Sequence, residues 1–458
     1  MRLRRGKRRR ACVVGLDGVP FGLLRQLADR GVMPRVAHII SGGAFRQMKA
    51  ALPPVSSVSW SSFMTGANPG EHGIFGFTDV DPQTYQLRFP LFSDLAVSTF
   101  WDKLGERGLR CCLLNQPATY PARSVPGALV SGFVAIELSK SVWPKEHLPA
   151  LERMGYRIDV DSKAARESPD RLLDDLDATH ALRRRAATYF WEREEWDYFQ
   201  LVVTGTDRLH HFLWRAVVDE SDPRHDRAMG YYRAVDEAVG ELWARFHQGR
   251  SGDREGEGFF LLSDHGFCEV RWEVRLNEWL RAQGYLTYAK DDPATVADIA
   301  PDATRAFALD PGRIYLNTKG RFPRGCVAPE DAPSLRAEIA AKLRTLTNSG
   351  TATELHSQLG QTPPPSDNSV AVPELPVVSH IFSRDDIFTG PRTPLGPDLV
   401  LLTHPGFDPK GTTKAHDVFG RTHFQGMHTW DDAFVWSAVQ VPEGPVIHDL
   451  AEVIIDCL

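Results

Sequence analysis

Three short apolar runs constrain this chain most. Ala11 to Leu16 (ACVVGL), Tyr198 to Val203 (YFQLVV) and Gly258 to Leu262 (GFFLL) each give way within a few residues to an aspartate: Asp17, Asp207 and Asp264. Arg110 to Leu114 is a fourth run of this kind. A short run with little polar alternation suits a strand buried on both faces, as in a parallel sheet. Helical patterns lie between the runs: from Pro20 onward, and at Thr99–Arg107, Arg171–Trp196 and Ala228–Phe246. The Arg183-Arg184-Arg185 stretch of the third reads as a solvated face. Strands alternating with helices predict an α/β fold, a doubly wound, mostly parallel sheet flanked by helices. Ligands in such sheets bind beyond the C-terminal strand ends, where Asp17 stands. Taken in isolation, Asp17 is explained better by a plain helix cap.

The chemistry-bearing residues recur around those strand ends. Leu52 to Ile74 reads LPPVSSVSWSSFMTGANPGEHGI, with Ser56, Ser57 and Ser59 after a Pro-Pro break. A serine at a helix start caps free N–H groups, and the same N–H groups favour a bound anion. Asp207 and His211 are four apart in TGTDRLHHFLW, so a helix puts them on one face where they can share an ion. His210 then points about 100° away. Asp264-His265 leave the end of GFFLL and meet Gly266. Two ligands in a tight turn fit a metal site, and a turn aspartate beside a surface histidine is the plainer alternative. The tail GRTHFQGMHTWDDAFVWSAVQVPEG offers two histidines, His423 and His428.

PPVSSVSWSSFMTG…HGI resembles the nucleophile region of the alkaline phosphatase superfamily, in its type I phosphodiesterase/nucleotide pyrophosphatase branch. The D-x-x-x-H after a strand, the DHG turn, NEWL…GYL, IYLN-x-KGR-x-P-x-G and the PDLVLL strand resemble that branch too, so the likeness runs from Val13 to the C-terminus. It implies an alkaline-phosphatase-like core. Matched from Thr65-Gly66, the nucleophile falls on Ser56, with Ser57 the slip-by-one alternative. Asp17, Asp264 and His265 would hold one ion beside Ser56, which also ligates it. Asp207, His211 and His428 would hold the other. Matching the strand AFVWSA selects His428 as ligand and leaves His423 behind it or beside the substrate. Mixed nitrogen and oxygen donors suit zinc first and manganese second. Two cations about 4 Å apart clamp the attacking and leaving oxygens of an in-line displacement. The implied reaction is hydrolysis of a small-molecule phosphate ester, foremost a diester, through a phosphoseryl intermediate. A phosphomonoesterase or phosphomutase, or a binding protein that keeps the fold without turnover, are the alternatives.

Some positions depart from the pattern. Ser59 stands where many nucleotide pyrophosphatases carry an asparagine, which argues against nucleotide diesters. The sulfatase C/S-x-P-x-R motif, the carboxylate-rich magnesium site of alkaline phosphatases and the long mutase insertion are not evident. Ser57, Ser59, Trp60 and His423 are candidates for substrate contact. Trp60, Trp214, Phe267 and Trp430 would form an aromatic wall if they are not core.

The 458 residues accommodate a core plus an insertion. We expect a catalytic core at 11–274 and 397–458. An inserted cap or lid at 275–396 carries a flexible Pro/Ser-rich loop near 347–379. Residues 1–10 read as a disordered arm with seven basic residues, so the net charge of −6 leaves about −13 on the remainder. An acidic body argues against nucleic acid as partner. ACVVGL is too short for a secretory core, and no run of 18 apolar residues spans a membrane. Six cysteines without a disulfide or zinc spacing point to the cytoplasm. The oligomeric state stays open.

Overall fold

The computed structural model describes residues 9–161, 166–248, 257–348, 375–414, 416–421 and 423–458. Its centre is an eight-stranded sheet. In chain order the strands are β1 (Ala11–Leu16), β2 (Ala44–Met48), β3 (Cys111–Gln116), β4 (Gly127–Ser131), β5 (Val142–Trp143), β6 (Tyr198–Val203), β7 (Phe259–Leu262) and β8 (Ala433–Ser437). Their order across the sheet is β2-β8-β7-β1-β6-β3-β4-β5. The five inner strands from β7 to β4 run parallel; β8 and β5 pair antiparallel with the two sides of this block, and β2 pairs antiparallel with β8.

The side-chain alternation of β1 explains its apolar run. Cys12, Val14 and Leu16 enter one hydrophobic cluster, and Ala11 and Val13 enter another across the sheet. The first cluster takes residues from helices Pro169–Arg193, Gly205–Val218 (α2 below) and His225–His247. The second takes them from Ser56–Thr65 (α1 below), Phe100–Glu106 and Leu450–Asp456. With both faces covered, most strand positions are apolar and periodicity 2 disappears from the sequence; Gln200 is buried with its amide hydrogen-bonded to Tyr198 and Gln116. Arg183 departs from expectation. Its side chain is buried with Nη2 donating to the Ile158 carbonyl at 2.8 Å, while Arg184 pairs with Glu237 and Glu241.

A second body packs beside the C-terminal ends of the strands. Ala306–Leu309, Arg313–Leu316, Leu399–Thr403 and Val378–Ser383 form an antiparallel sheet in that order. Helices Leu276–Ala282 and Ala332–Arg344 share its core through Leu276, Leu280, Leu335, Ile339 and Leu343. Leu399–Thr403, which follows residue 397, thus pairs within this sheet and not within the central one. Most of the Pro/Ser-rich loop (349–374) lies outside the described residues, as do residues 1–8 of the basic arm. A connecting ribbon returns the chain to the core. Gly266–Arg275 pairs parallel with Gly406–Lys410 and antiparallel with Gly426–Thr429, in a register that sets Phe267 opposite His428. No described helix is long and apolar enough to cross a membrane.

Candidate active site

β1, β6 and β7 are parallel and in register (Val14 beside Leu201 and Leu261), so their C-terminal ends emerge together. Asp17 follows β1, Asp264 and His265 follow β7, and α2 starts just after β6 with Asp207 in its first turn. Gly18 occupies the left-handed region (φ 68°), turning the chain so that its N–H donates to Asp264 Oδ1 at 3.0 Å. A Cβ there would press on the Phe267 ring and His265. Gly266 serves a different need from the one its sequence setting suggests: a Cβ would fall 2.4 Å from Thr429 Oγ1, blocking the pairing that delivers His428.

Ser56 is the first residue of α1, and Val55 is the N-cap in extended conformation. The Ser56 hydroxyl does not cap the helix. It lies 3.2 Å from Asp17 Oδ1 and 3.0 Å from His265 Nε2. Ser57 Oγ and Ser59 Oγ are buried without a hydrogen-bond partner, so the serine that meets the strand-end ligands is Ser56. Trp60 does not reach a substrate. Its ring is fully buried beneath Gly15, and its Nε1–H donates to Asp17 Oδ2 at 3.0 Å. Trp214 and Phe267 also belong to the interior, and Phe267 stands edge-on to His211 (4.9 Å) and His428 (5.1 Å). Trp430 alone of the four aromatic residues lines the cleft. His423 is exposed and packs on Phe424, apart from the ligand cluster.

Two groups of donors converge. Asp17, Asp264 and His265 present atoms all within 4.8 Å of one another, and so do Asp207, His265 and His428. His211 joins the second group, with Nε2 3.0 Å from His428 Nε2 and 3.4 Å from Asp207 Oδ1. His265 therefore faces both groups. His210, on the other face of α2, has Nδ1 2.9 Å from the Gly18 carbonyl and Nε2 2.5 Å from the Tyr232 hydroxyl.

The ring orientations are informative. Nδ1 of His211, His265 and His428 lies 3.1–3.2 Å from the carbonyls of Gly426, Gly266 and Pro54 respectively. A carbonyl can only accept, so each Nδ1 carries the proton and each Nε2 presents a lone pair to the site. This is the arrangement of metal-ligating histidines, whose other N–H is held by the protein. Lone pairs on His211 and His428 face each other at 3.0 Å, which only a shared cation or proton makes favourable.

The carboxylates tell the same story. Burial pushes Asp17 well above the ordinary carboxylate range, helped by repulsion from Asp264 and Asp207. Burial likewise pushes Asp264 up to about 7, and its Oδ2 has no hydrogen-bond donor. Asp207 is also buried, but His211, His428 and Arg208 pull it below its usual value. Burial drives His211 down to about 3 and His265 well below its usual value. Buried carboxylates, two of which are costly to ionise alone, facing imidazole lone pairs make a cavity that divalent cations would complete, so the residues fit the metals implied.

Supporting residues went unrecognised in the sequence. Thr206 Oγ1 donates to the Asp17 carbonyl at 2.6 Å, tying β1 to α2. Arg208 donates twice to Asp159 (2.6 and 3.0 Å), with its guanidinium 3.6 Å from Asp207 Oδ2. Their place beside Asp207 was the available signal. Lys410 carried none. It pairs with Asp408 at 2.7 Å on the wall of a cleft of about 430 Å³ that opens past His211 and His428 toward the second body.

This is the architecture of the alkaline-phosphatase-like fold. The chain belongs to the type I phosphodiesterase/nucleotide pyrophosphatase family, whose model matches residues 11–431, and it is thus a hydrolase of phosphate esters. No curated protein sequence matches it. Among solved structures it is similar to phosphonoacetate hydrolase from Sinorhizobium meliloti 1021, in complexes with phosphonoformate and with phosphonoacetate. That likeness has 16% identity and a TM-score of 0.61 over 98% of this chain and 96% of that one. Murine ectonucleotide pyrophosphatase/phosphodiesterase 5 also matches, with 13% identity and a TM-score of 0.47 over 98% of this chain and 94% of that one.

Proposed function

We propose that the protein is a metal-dependent phosphodiesterase that acts through a phosphoseryl intermediate on Ser56, with two divalent cations, zinc before manganese. The observation that carries this reading is the position of the Ser56 hydroxyl, 3.0 Å from His265 Nε2 and 3.2 Å from Asp17 Oδ1, at the start of a helix. Asp17, Asp264 and His265 would hold one cation, and Asp207, His211 and His428 the other. Bound cations supply charge neutralisation for the anionic ester and lower the pKa of a coordinated hydroxyl. The chain's own residues do the rest. The start of α1 directs unpaired backbone N–H groups at the phosphoryl oxygens. Trp60 and Gly18 fix the carboxylates of Asp17 and Asp264 by their hydrogen bonds. The cleft beside His211 and His428 receives the organic part of the ester.

The test is hydrolysis of bis-p-nitrophenyl phosphate against p-nitrophenyl phosphate with added zinc or manganese, wild type beside Ser56→Ala. A diester preference abolished in the variant, with metal content unchanged, is expected. Equal turnover by Ser56→Ala would remove Ser56 as nucleophile, and monoester-only turnover would replace the diesterase by a phosphatase.

A further inference from the structure

Six large apolar side chains are strongly exposed among the described residues, and four belong to two neighbouring segments. Leu87 (43% exposed), Phe89 (56%) and Leu91 (42%) lie on one, and Ile136 (82%) on the other. Phe77 joins the two. Its ring stands edge-on to Phe89 at 5.5 Å and stacks on Phe133, three residues before Ile136, at 5.2 Å and 18°. Phe77 also lines the cleft together with Pro54, Val55, His211 and His428. Phe133 in turn carries the Arg208 guanidinium 4.0 Å over its ring, next to Asp207. The ring contacts Phe89–Phe77–Phe133 therefore join the exposed segment to the cleft that His211 and His428 line. The cation in this stretch, Arg88, is neutralised by Asp79 (3.0 Å) and Asp94 (2.9 Å).

Exposed apolar surface of this kind marks a binding site. Its continuity with the cleft defines the occupant: a molecule with an anionic end at Ser56 and an apolar end along the rim. We infer that the substrate is an amphiphilic phosphate ester, whose hydrocarbon chain lies on the Phe77–Phe89–Ile136 rim. The inference rests on the reading of Ser56 as the centre of ester cleavage and adds the substrate class.

The experiment measures kcat/KM for methyl, butyl and octyl p-nitrophenyl phosphodiesters, below their micelle concentrations, with zinc or manganese present. The octyl-to-methyl ratio is expected to reach at least about tenfold in the wild type, as burial of only two or three methylenes would give. In the double variant Phe89→Ser/Ile136→Ser the ratio falls toward one. It stays at the wild-type value in Val218→Ser, another exposed apolar residue, at the far end of α2 from Asp207. A flat ratio in wild type that still cleaves the methyl ester overturns the inference and leaves the ester-cleaving reading standing. Failure to cleave any of the three, with cation bound, overturns both. Co-sedimentation with dioleoylphosphatidylcholine vesicles separates the two sources of the chain. Wild type that pellets while the double variant does not takes it from a bilayer, and wild type that stays in solution takes it from dispersed amphiphiles; either result keeps the inference.

Discussion

Trp60→Phe isolates one hydrogen bond of the candidate centre. The indole Nε1–H donates to Asp17 Oδ2 at 3.0 Å, and no other side-chain donor reaches that oxygen among the described residues. The ring is fully buried and packs edge-on to Phe63, so phenylalanine keeps most of the apolar contact and loses the donor. A hydrogen bond to a charged group contributes about 1.5–3 kcal/mol. In the metal-free protein part of that loss is masked, because burial already favours the protonated Asp17. With cation bound Asp17 is ionised and the full loss appears. Zinc affinity is therefore expected to fall roughly 10–100-fold, the usual effect of removing a hydrogen bond to a ligand. Competition with a chromophoric chelator measures it, with thermal unfolding of the metal-free proteins alongside. Gly15→Ala approaches the same bond from the opposite side of the indole. Its Cβ would lie 2.5 Å from the Trp60 ring, so the indole must retreat by about 1 Å to regain normal contact. Unchanged zinc affinity in both variants would refute the argument and reduce Trp60 to a packing residue.

Three further outcomes are expected. His72 is buried, with Nδ1 accepting the Ile74 N–H (3.1 Å) and Nε2 on Ser62 Oγ (2.9 Å), and burial lowers it to about 3. Its folded-state pKa is below the unfolded value, so the unfolded chain binds more protons in that window. The stability advantage of wild type over His72→Gln is therefore constant above pH 6.5 and shrinks by about 1.4 kcal/mol per pH unit below it. Denaturant titrations at pH 5 and 7.5 read this out, and a pH-independent difference would contradict it. Gly70→Ala places a Cβ 2.4 Å from both the Thr389 carbonyl and Thr393 Oγ1, so it should destabilise by about 1–3 kcal/mol, visible as a lowered denaturation midpoint. Chelation should lower Tm, and zinc at about 100 times its Kd should restore about 2.7 kcal/mol. The double variant His211→Ala/His428→Ala should show a smaller shift.

Much of the site was legible in the chain because its signals are local. A strand buried on both faces cannot hide an aspartate at its end, so Asp17, Asp207 and Asp264 stand out against ACVVGL, YFQLVV and GFFLL. The four-residue spacing of Asp207 and His211 follows from helical geometry alone and likewise turns His210 away. Trp60 and Leu399–Thr403 show where local reading ends. An aromatic residue next to a candidate nucleophile looks like a substrate wall until the backbone shows its ring facing Gly15 and Asp17. PDLVLL has the same composition whether it extends the central sheet or pairs with Arg313–Leu316, because both places are buried.

What the sequence by itself determined, then, is four of the five parallel strands, the end of the sheet where candidate ligands gather and the residue types that gather there. Apolar periodicity and short-range spacing carry that information. Only the tertiary structure decided that Ser56 and not Ser57 meets Asp17 and His265, and that His428 arrives on a ribbon paired with Phe267. It also decided that Phe77 stands between Phe89 and Phe133 at the cleft. Those relations join residues up to hundreds of positions apart, and hydrogen-bond direction and ring orientation exist only once the backbone has brought them together.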